Sequence, residues 1–349
     1  MHEFMHFCYE VQTQQTERSS MATAKTTRSK KGLQRLPQSV SLDKTTIDKL
    51  EDMVEREGMT KSQVVDQMLK KQLEMEDDSD LPTILTFMNF KGGVAKTTSV
   101  ACLAVCLGEL GKKVLIIDFD AQGNSSQTFN VYDVTKTAPC IVDVLFGQGL
   151  DHDKKTLDEV MKETDYKNVK VVPSNMRFLE ADSYIRNEKT GADTLLKYAI
   201  QDLEEKFDYI IIDCGPRLDM TITNALVAME AGNRHSEVIL PVKLDGYAIV
   251  GLPEVINTIN NVGKSRRTKP QPWRILITVV EKNTNAYRLG LNELKETLPG
   301  AQYFETQISK GTLTNESSLA MMPLVAYDST SQVARDYNTL ALEIEAMNE

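Results

Sequence analysis

Asn89-Phe90-Lys91-Gly92-Gly93-Val94-Ala95-Lys96-Thr97-Thr98 is the stretch that decides the fold. Before it, Ile84-Leu85-Thr86-Phe87-Met88 has the continuous apolar character of a buried strand, and after it Val100 to Leu110 forms an apolar helical run. Strand, glycine loop and helix, in that order, is the context a phosphate-binding loop needs. Gly92 and Gly93 let the backbone approach phosphate oxygens with its N–H groups turned inward, and the helix that follows brings a partial positive charge to the same place. Lys96 would meet the β and γ phosphates of a nucleotide, and the Thr97 hydroxyl would coordinate Mg²⁺. Val94, Ala95 and Thr98 complete the loop. The strict pattern G-x-x-x-x-G-K-[ST] fails twice, at Phe90 and at Ala95, leaving the variant K-G-G-x-x-K-T-T with a second lysine, Lys91.

Two more apolar runs end in acids. Lys113-Val114-Leu115-Ile116-Ile117-Asp118-Phe119-Asp120 leads into Ala121-Gln122-Gly123-Asn124, and Phe207 to Ile212 leads into Asp213-Cys214-Gly215-Pro216. Runs without alternation suit strands buried on both faces of a parallel sheet. Acids at the carboxyl ends of such strands stand beside the phosphate crevice. The fold expected is therefore α/β: a P-loop NTPase with a mostly parallel, helix-flanked sheet over residues 82–349.

These motifs together closely resemble the ParA-type partition ATPases, within the wider group that includes MinD. The resemblance spans about residues 83–345 and is supported by Val238-Ile239-Leu240-Pro241-Val242, Gly251-Leu252, Ile275 to Thr278, and Pro323 to Tyr337. It implies a role for each matching residue. Lys91 would reach across a homodimer to the partner's nucleotide, Lys96 would hold phosphate, and Thr97 would bind Mg²⁺. Asp120 would orient the attacking water, and Asp118 and Asp213 would serve the magnesium side. It also implies a slow, switch-like ATP hydrolase whose ATP-bound dimer holds non-specific DNA and whose hydrolysis a small centromere-binding partition protein stimulates. Ala95 and Gly215 depart from the family's usual glycine and proline, and alanine resists the positive φ that such a loop uses.

Ahead of this domain the texture changes. Between Met21 and Leu36 there are five basic residues and no acid. Residues 1–36 are accordingly expected to be a disordered arm, either simply solvated or touching DNA phosphates; Met21 is an alternative start. Residues 37–75 read as one short strand and two helices, with Asp43 and Thr60 as N-caps and Gly58 between. That layout resembles the Arc/CopG-type ribbon–helix–helix family. The resemblance implies a dimerisation and operator-binding domain with Ser39 and Ser41 toward the bases and Thr60 and Ser62 holding a phosphate. Residues 76–81 form an acidic linker. Further basic candidates for DNA are Arg266 and Arg267, in a cluster with Lys264 and Lys269, together with Lys310 and Arg335; a solvated loop explains that cluster equally well.

The bulk properties narrow the field. The 349 residues carry a formal net charge of −10 and are 41% hydrophobic. Length alone points to about two domains. No apolar run approaches the ~18 residues of a membrane span, and the acidic C-terminus lacks the basic amphipathic helix of a membrane-binding switch. Five scattered cysteines suit a reducing compartment and offer no convincing cluster ligands. The expectation is a cytoplasmic, nucleoid-associated protein. Two other readings share the same motifs: a repressor using ATP as a ligand, and an ATPase that positions a cargo other than DNA.

Overall fold

The computed structural model describes residues 80–146, 154–181 and 191–348, together with Thr60, Val64, Asp78, Ser183 and Ile185. The expected arm, the ribbon–helix–helix segment with Ser39, Ser41 and Ser62, and most of the linker lie outside these residues. Thr60 and Val64 of that segment are described, and the Thr60 carbonyl accepts from Val64 N–H at 3.0 Å. The chain divides between Gln67 and Met68 into two units; the account below concerns the second.

Seven strands form one sheet: β1 (Thr83–Phe87), β2 (Val114–Phe119), β3 (Lys162–Glu163), β4 (Val169–Val172), β5 (Tyr209–Cys214), β6 (Glu237–Lys243) and β7 (Trp273–Thr278). Their order is β3-β4-β2-β5-β1-β6-β7. Every pairing is parallel except β3 with β4 at the edge. The strand expected at 84–88 runs one residue earlier, from Thr83 to Phe87, and Met88 N–H then bonds to Ile239 O at 3.2 Å.

The apolar runs are continuous because both sheet faces are covered. Successive residues alternate between two cores. Ile84, Leu115, Ile117, Ile210, Ile212, Val238 and Leu240 pack on one side. Leu85, Phe87, Val114, Ile116, Ile211, Ile239 and Leu276 pack on the other. The second core is roofed by helix α1 (Lys96–Glu109), with Val100, Leu103 and Leu107 buried, and by the C-terminal helix, where Tyr337, Leu340 and Ile344 are buried. Buried Tyr337 meets the Ser99 hydroxyl at 2.9 Å. Cys102, Cys106, Cys140 and Cys214 are buried free thiols, and burial pushes those of Cys102 and Cys106 up to about 12, so they act as small hydrophobes. Among the described residues no helix is long and apolar enough to cross a membrane.

Candidate phosphate and metal site

β1 delivers the glycine loop to the carboxyl edge of the sheet, next to β5 and β6. Asn89 is buried and fixes the loop's start. Its amide donates to Pro241 O at 2.9 Å, and its Oδ1 accepts from Lys91 N–H at 2.9 Å. Gly93 (φ 74) and Ala95 (φ 62) both take the left-handed conformation, with Ala95 as the N-cap of α1. Ala95 thus adopts the backbone that glycine would take, and Val94 O is held by the Thr278 hydroxyl at 3.0 Å. Space above the loop is open: a Cβ built at Gly92 or Gly93 meets nothing within 4 Å. Lys96 is buried, and its ammonium donates back across the loop to Asn89 O at 3.2 Å. Lys91 lies on the exposed rim, 5.3 Å from the Tyr247 ring centroid.

The acids come from the two strands beside β1. Asp118 on β2 is in register with Asp213 on β5, so two fully buried carboxylates stand side by side. A short helix, α2 (Asn124–Thr128), serves both. The Ser125 hydroxyl donates to Asp213 Oδ2 at 2.7 Å. The Ser126 hydroxyl and N–H donate to Asp118 Oδ2 at 2.6 and 2.8 Å. Burial pushes both acids above the ordinary carboxylate range. For Asp118 the neighbouring Asp213 adds to this, and Ser126 opposes it. For Asp213 the Ser125 hydroxyl opposes it, followed by the Lys96 ammonium and the Thr97 hydroxyl. Asp213 Oδ1 is buried with no hydrogen-bond partner of its own in good geometry. An orphaned carboxylate oxygen between the loop lysine and Thr97 suits a hard divalent cation or its water.

Asp120 sits just past β2 in a tight turn, where its Oδ1 accepts from Gln122 N–H at 3.1 Å and its carbonyl from Gly123 N–H at 3.0 Å. Gly123 (φ 62) must be glycine, since a Cβ there would lie 2.5 Å from the Tyr132 ring. Beside Thr97 and Thr98 a cavity of about 280 Å³ opens, bounded also by Cys102, Asn124, Gln127 and Met322. A larger hollow of about 830 Å³, between α3 (Met220–Ala228) and α4 (Leu252–Arg266), is lined by none of the loop residues and brings only Asp193 and Glu254 as titratable groups.

The structure therefore brings Lys91, Gly92, Gly93, Val94, Ala95, Lys96, Thr97, Thr98, Asp118, Asp120 and Asp213 to one edge. It does not bring the basic candidates together. Arg266 and Arg267 end α4, which crosses from the carboxyl end of β6 back to the amino end of β7, so they lie at the far end of the sheet. Lys310 and Arg335 lie near each other, on segments tied by Ser309 N–H to Asp336 Oδ2 at 2.7 Å, beyond the carboxyl end of β7. Arg266 is also not a free cation. It bonds bidentately to Glu230 at 3.0 and 3.1 Å and pairs with Asp193. Lys310 pairs with Glu281, whereas Arg267 is exposed. Asn89, Ser125, Ser126 and Thr278 shape the site without having been signalled by the motifs.

Residues 82–271 match the AAA domain family. The chain is 30% identical over 263 residues to the sporulation initiation inhibitor protein Soj of Bacillus subtilis, covering 75% of this chain and 98% of that one. The chain belongs to this AAA domain family and is a P-loop ATPase of the ParA/MinD type. The chromosome-partitioning ATPase Soj of Treponema pallidum is 29% identical, covering 75% of this chain and 96% of that protein. Among solved structures, cobyrinic acid a,c-diamide synthase from Mycobacterium smegmatis with bound ADP and magnesium superposes with a TM-score of 0.61 at 25% identity, covering 75% of this chain and 93% of that one. Within this ParA/MinD-type domain, the phosphate loop and the three acids occupy one edge of the sheet.

Proposed function

We propose that the chain is a DNA-partition ATPase whose Mg²⁺·ATP-bound homodimer holds non-specific DNA and lets go after hydrolysis. The observation that carries this reading is the loop itself: an open, positive backbone cradle with Lys96 at its floor, facing an unpartnered Asp213 oxygen beside Asp118 and Asp120. Mg²⁺, when bound, supplies the charge that offsets the developing negative charge on the phosphates. The chain's own residues do the rest. The loop N–H groups and Lys96 hold the phosphates, and Thr97 and Asp213 hold the metal side, with Asp118 behind them. Asp120 orients the water, and the cavity beside Thr98 takes the nucleoside. Phosphoryl transfer asks mainly for positioning and charge. Lys91, exposed on the rim, would complete a partner's site, so hydrolysis would be slow and tied to dimerisation. A small centromere-binding partner would speed it. Residues 37–75 would bind operator DNA and repress the operon.

Retention of the full-length protein on random DNA, measured with ATP, ADP and no nucleotide at fixed salt, tests this. Retention only with ATP is the expected result. Equal retention in all three conditions would mean that DNA binding resides in the N-terminal segment and that the ATPase serves another client.

A further inference from the structure

The well-formed hydroxyl hydrogen bond to Asp213 comes from the segment that carries Asp120, while the Thr97 hydroxyl is close enough to favour its charge. Ser125 is completely buried, and its Oγ donates to Asp213 Oδ2 at 2.7 Å, leaving Oδ1 as the oxygen without a partner. Its neighbour Ser126, equally buried, gives its hydroxyl to Asp118 and accepts from Ser174 N–H at 2.9 Å. Nothing in the helix calls for a hydroxyl at 125, because alanine is the better helix former and leaves no polar group to satisfy. The turn from Asp120 to Gly123 joins directly to α2. A Cβ on Gly215, two residues past Asp213, would lie 3.2 Å from Asp120 Oδ1. Beyond the pairing of β2 with β5, the two acid-bearing segments thus meet through the Ser125 side chain and again at Gly215, whose N–H bonds to Phe119 O at 3.2 Å.

We infer that Ser125 is a positioning residue that clamps Asp213 by one oxygen so that the other faces the metal side, and so ties metal binding to the placement of Asp120. This rests on the nucleotide reading above. One carboxylate oxygen is spent on the protein and one is kept for the cation or its water. A carboxylate without the clamp can rotate, and its metal-facing geometry is no longer fixed. Outer-shell partners of this kind typically account for roughly 10–100-fold in metal affinity.

The test uses full-length protein and two readouts: the Mg²⁺ concentration for half-maximal ATPase activity, and ADP affinity by calorimetry with and without Mg²⁺. In Ser125→Ala the Mg²⁺ midpoint should rise about tenfold or more. The Mg²⁺-dependent gain in ADP affinity should shrink by a similar factor, while Mg²⁺-free ADP affinity stays at the wild-type value. Ser125→Thr, which keeps the hydroxyl, should lie near wild type, and Ser125→Cys, a poorer donor, in between. A folded Ser125→Ala protein with wild-type midpoint and wild-type Mg²⁺-dependent ADP binding overturns the clamp, as does a folded threonine variant as impaired as alanine. Wild-type protein whose ADP binding ignores Mg²⁺ overturns the nucleotide reading itself and the clamp with it.

Discussion

Ala95 occupies a backbone position that glycine fills without strain. Its φ of 62 places Cβ in the left-handed region, which costs roughly 1–2 kcal/mol for an L-residue. Relief of that strain outweighs the extra unfolded-state freedom of glycine, which is about 0.4–1 kcal/mol. Ala95→Gly is therefore expected to stabilise the nucleotide-free protein by up to ~1 kcal/mol, seen as a rise in thermal midpoint. A fall would show that the alanine methyl packs more favourably than its backbone suggests. Asp120 presents the opposite case, since its carboxylate holds only its own turn, through Gln122 N–H. Asp120→Ala should leave folding and ATP binding intact and lower hydrolysis by ~10²-fold or more, the usual contribution of a positioned acid or base. Single-turnover hydrolysis beside equilibrium ATP binding separates the two. Wild-type hydrolysis in this variant removes Asp120 from the chemistry.

At the scale of elements, the C-terminal end of α4 illustrates how a basic cluster can be structural. Arg266 reaches from the last turn of α4 to Glu230 and Asp193, and Lys197 also meets Glu230 at 2.7 Å. Burial works against the Glu230 charge, but the hydrogen bonds from Arg266 and Lys197 outweigh it and hold the acid below its usual value of 4.5. A carboxyl depressed in the folded state adds stability above its unfolded pKa and loses that stability as pH falls through the folded one. Arg266→Leu should therefore cost about 1–3 kcal/mol near pH 7, and the gap from wild type should narrow as pH falls below 4.5. Denaturant unfolding at pH 7 and pH 3.5 checks this; equal stability at pH 7 would mean the brace is inert. The episode also shows what sequence can convey. β1, β2 and β5 are legible because continuous apolar runs end in loop or acid, and the phosphate residues follow from their order. β4 is only Val169–Val172 and pairs with the two-residue β3, too short for any period to emerge. Ser125 and Ser126, in a Gly-Asn-Ser-Ser run, look like turn chemistry until the fold brings Asp213, 88 residues from Ser125, within hydrogen-bond reach. Whether an arginine faces solvent or a carboxylate far along the chain is likewise a property of tertiary structure.

Over the whole molecule, the sheet separates the phosphate edge, with Lys91 on its rim, from the amino edge where Arg266 is braced. The family match begins at Pro82, where Asn233 ties the chain down, its amide donating to Leu81 O at 3.1 Å and its N–H to Pro82 O at 2.9 Å; further back only surface ties remain among the described residues, Arg234 N–H to Asp78 at 2.6 Å and Lys206 to Asp80 at 3.2 Å. Everything the phosphate site uses lies after Pro82: the loop from Asn89, the acids on β2 and β5, and the Thr278 brace. Both core clusters of the ATPase unit are built from residues at or beyond Ile84. A chain starting at residue 81 should consequently fold, bind Mg²⁺·ATP with wild-type affinity and keep its basal hydrolysis rate within about twofold, as expected for a domain with its own core. What it should lose is the operator-specific component of DNA binding, together with any gain in effective concentration that a dimeric N-terminal segment gives two ATPase units. ATP-dependent dimerisation should then need higher protein concentration, which analytical ultracentrifugation of the full and shortened chains with ATP would show. Unchanged operator affinity in the shortened chain would move sequence recognition onto the ATPase unit and leave residues 37–75 without the role proposed for them.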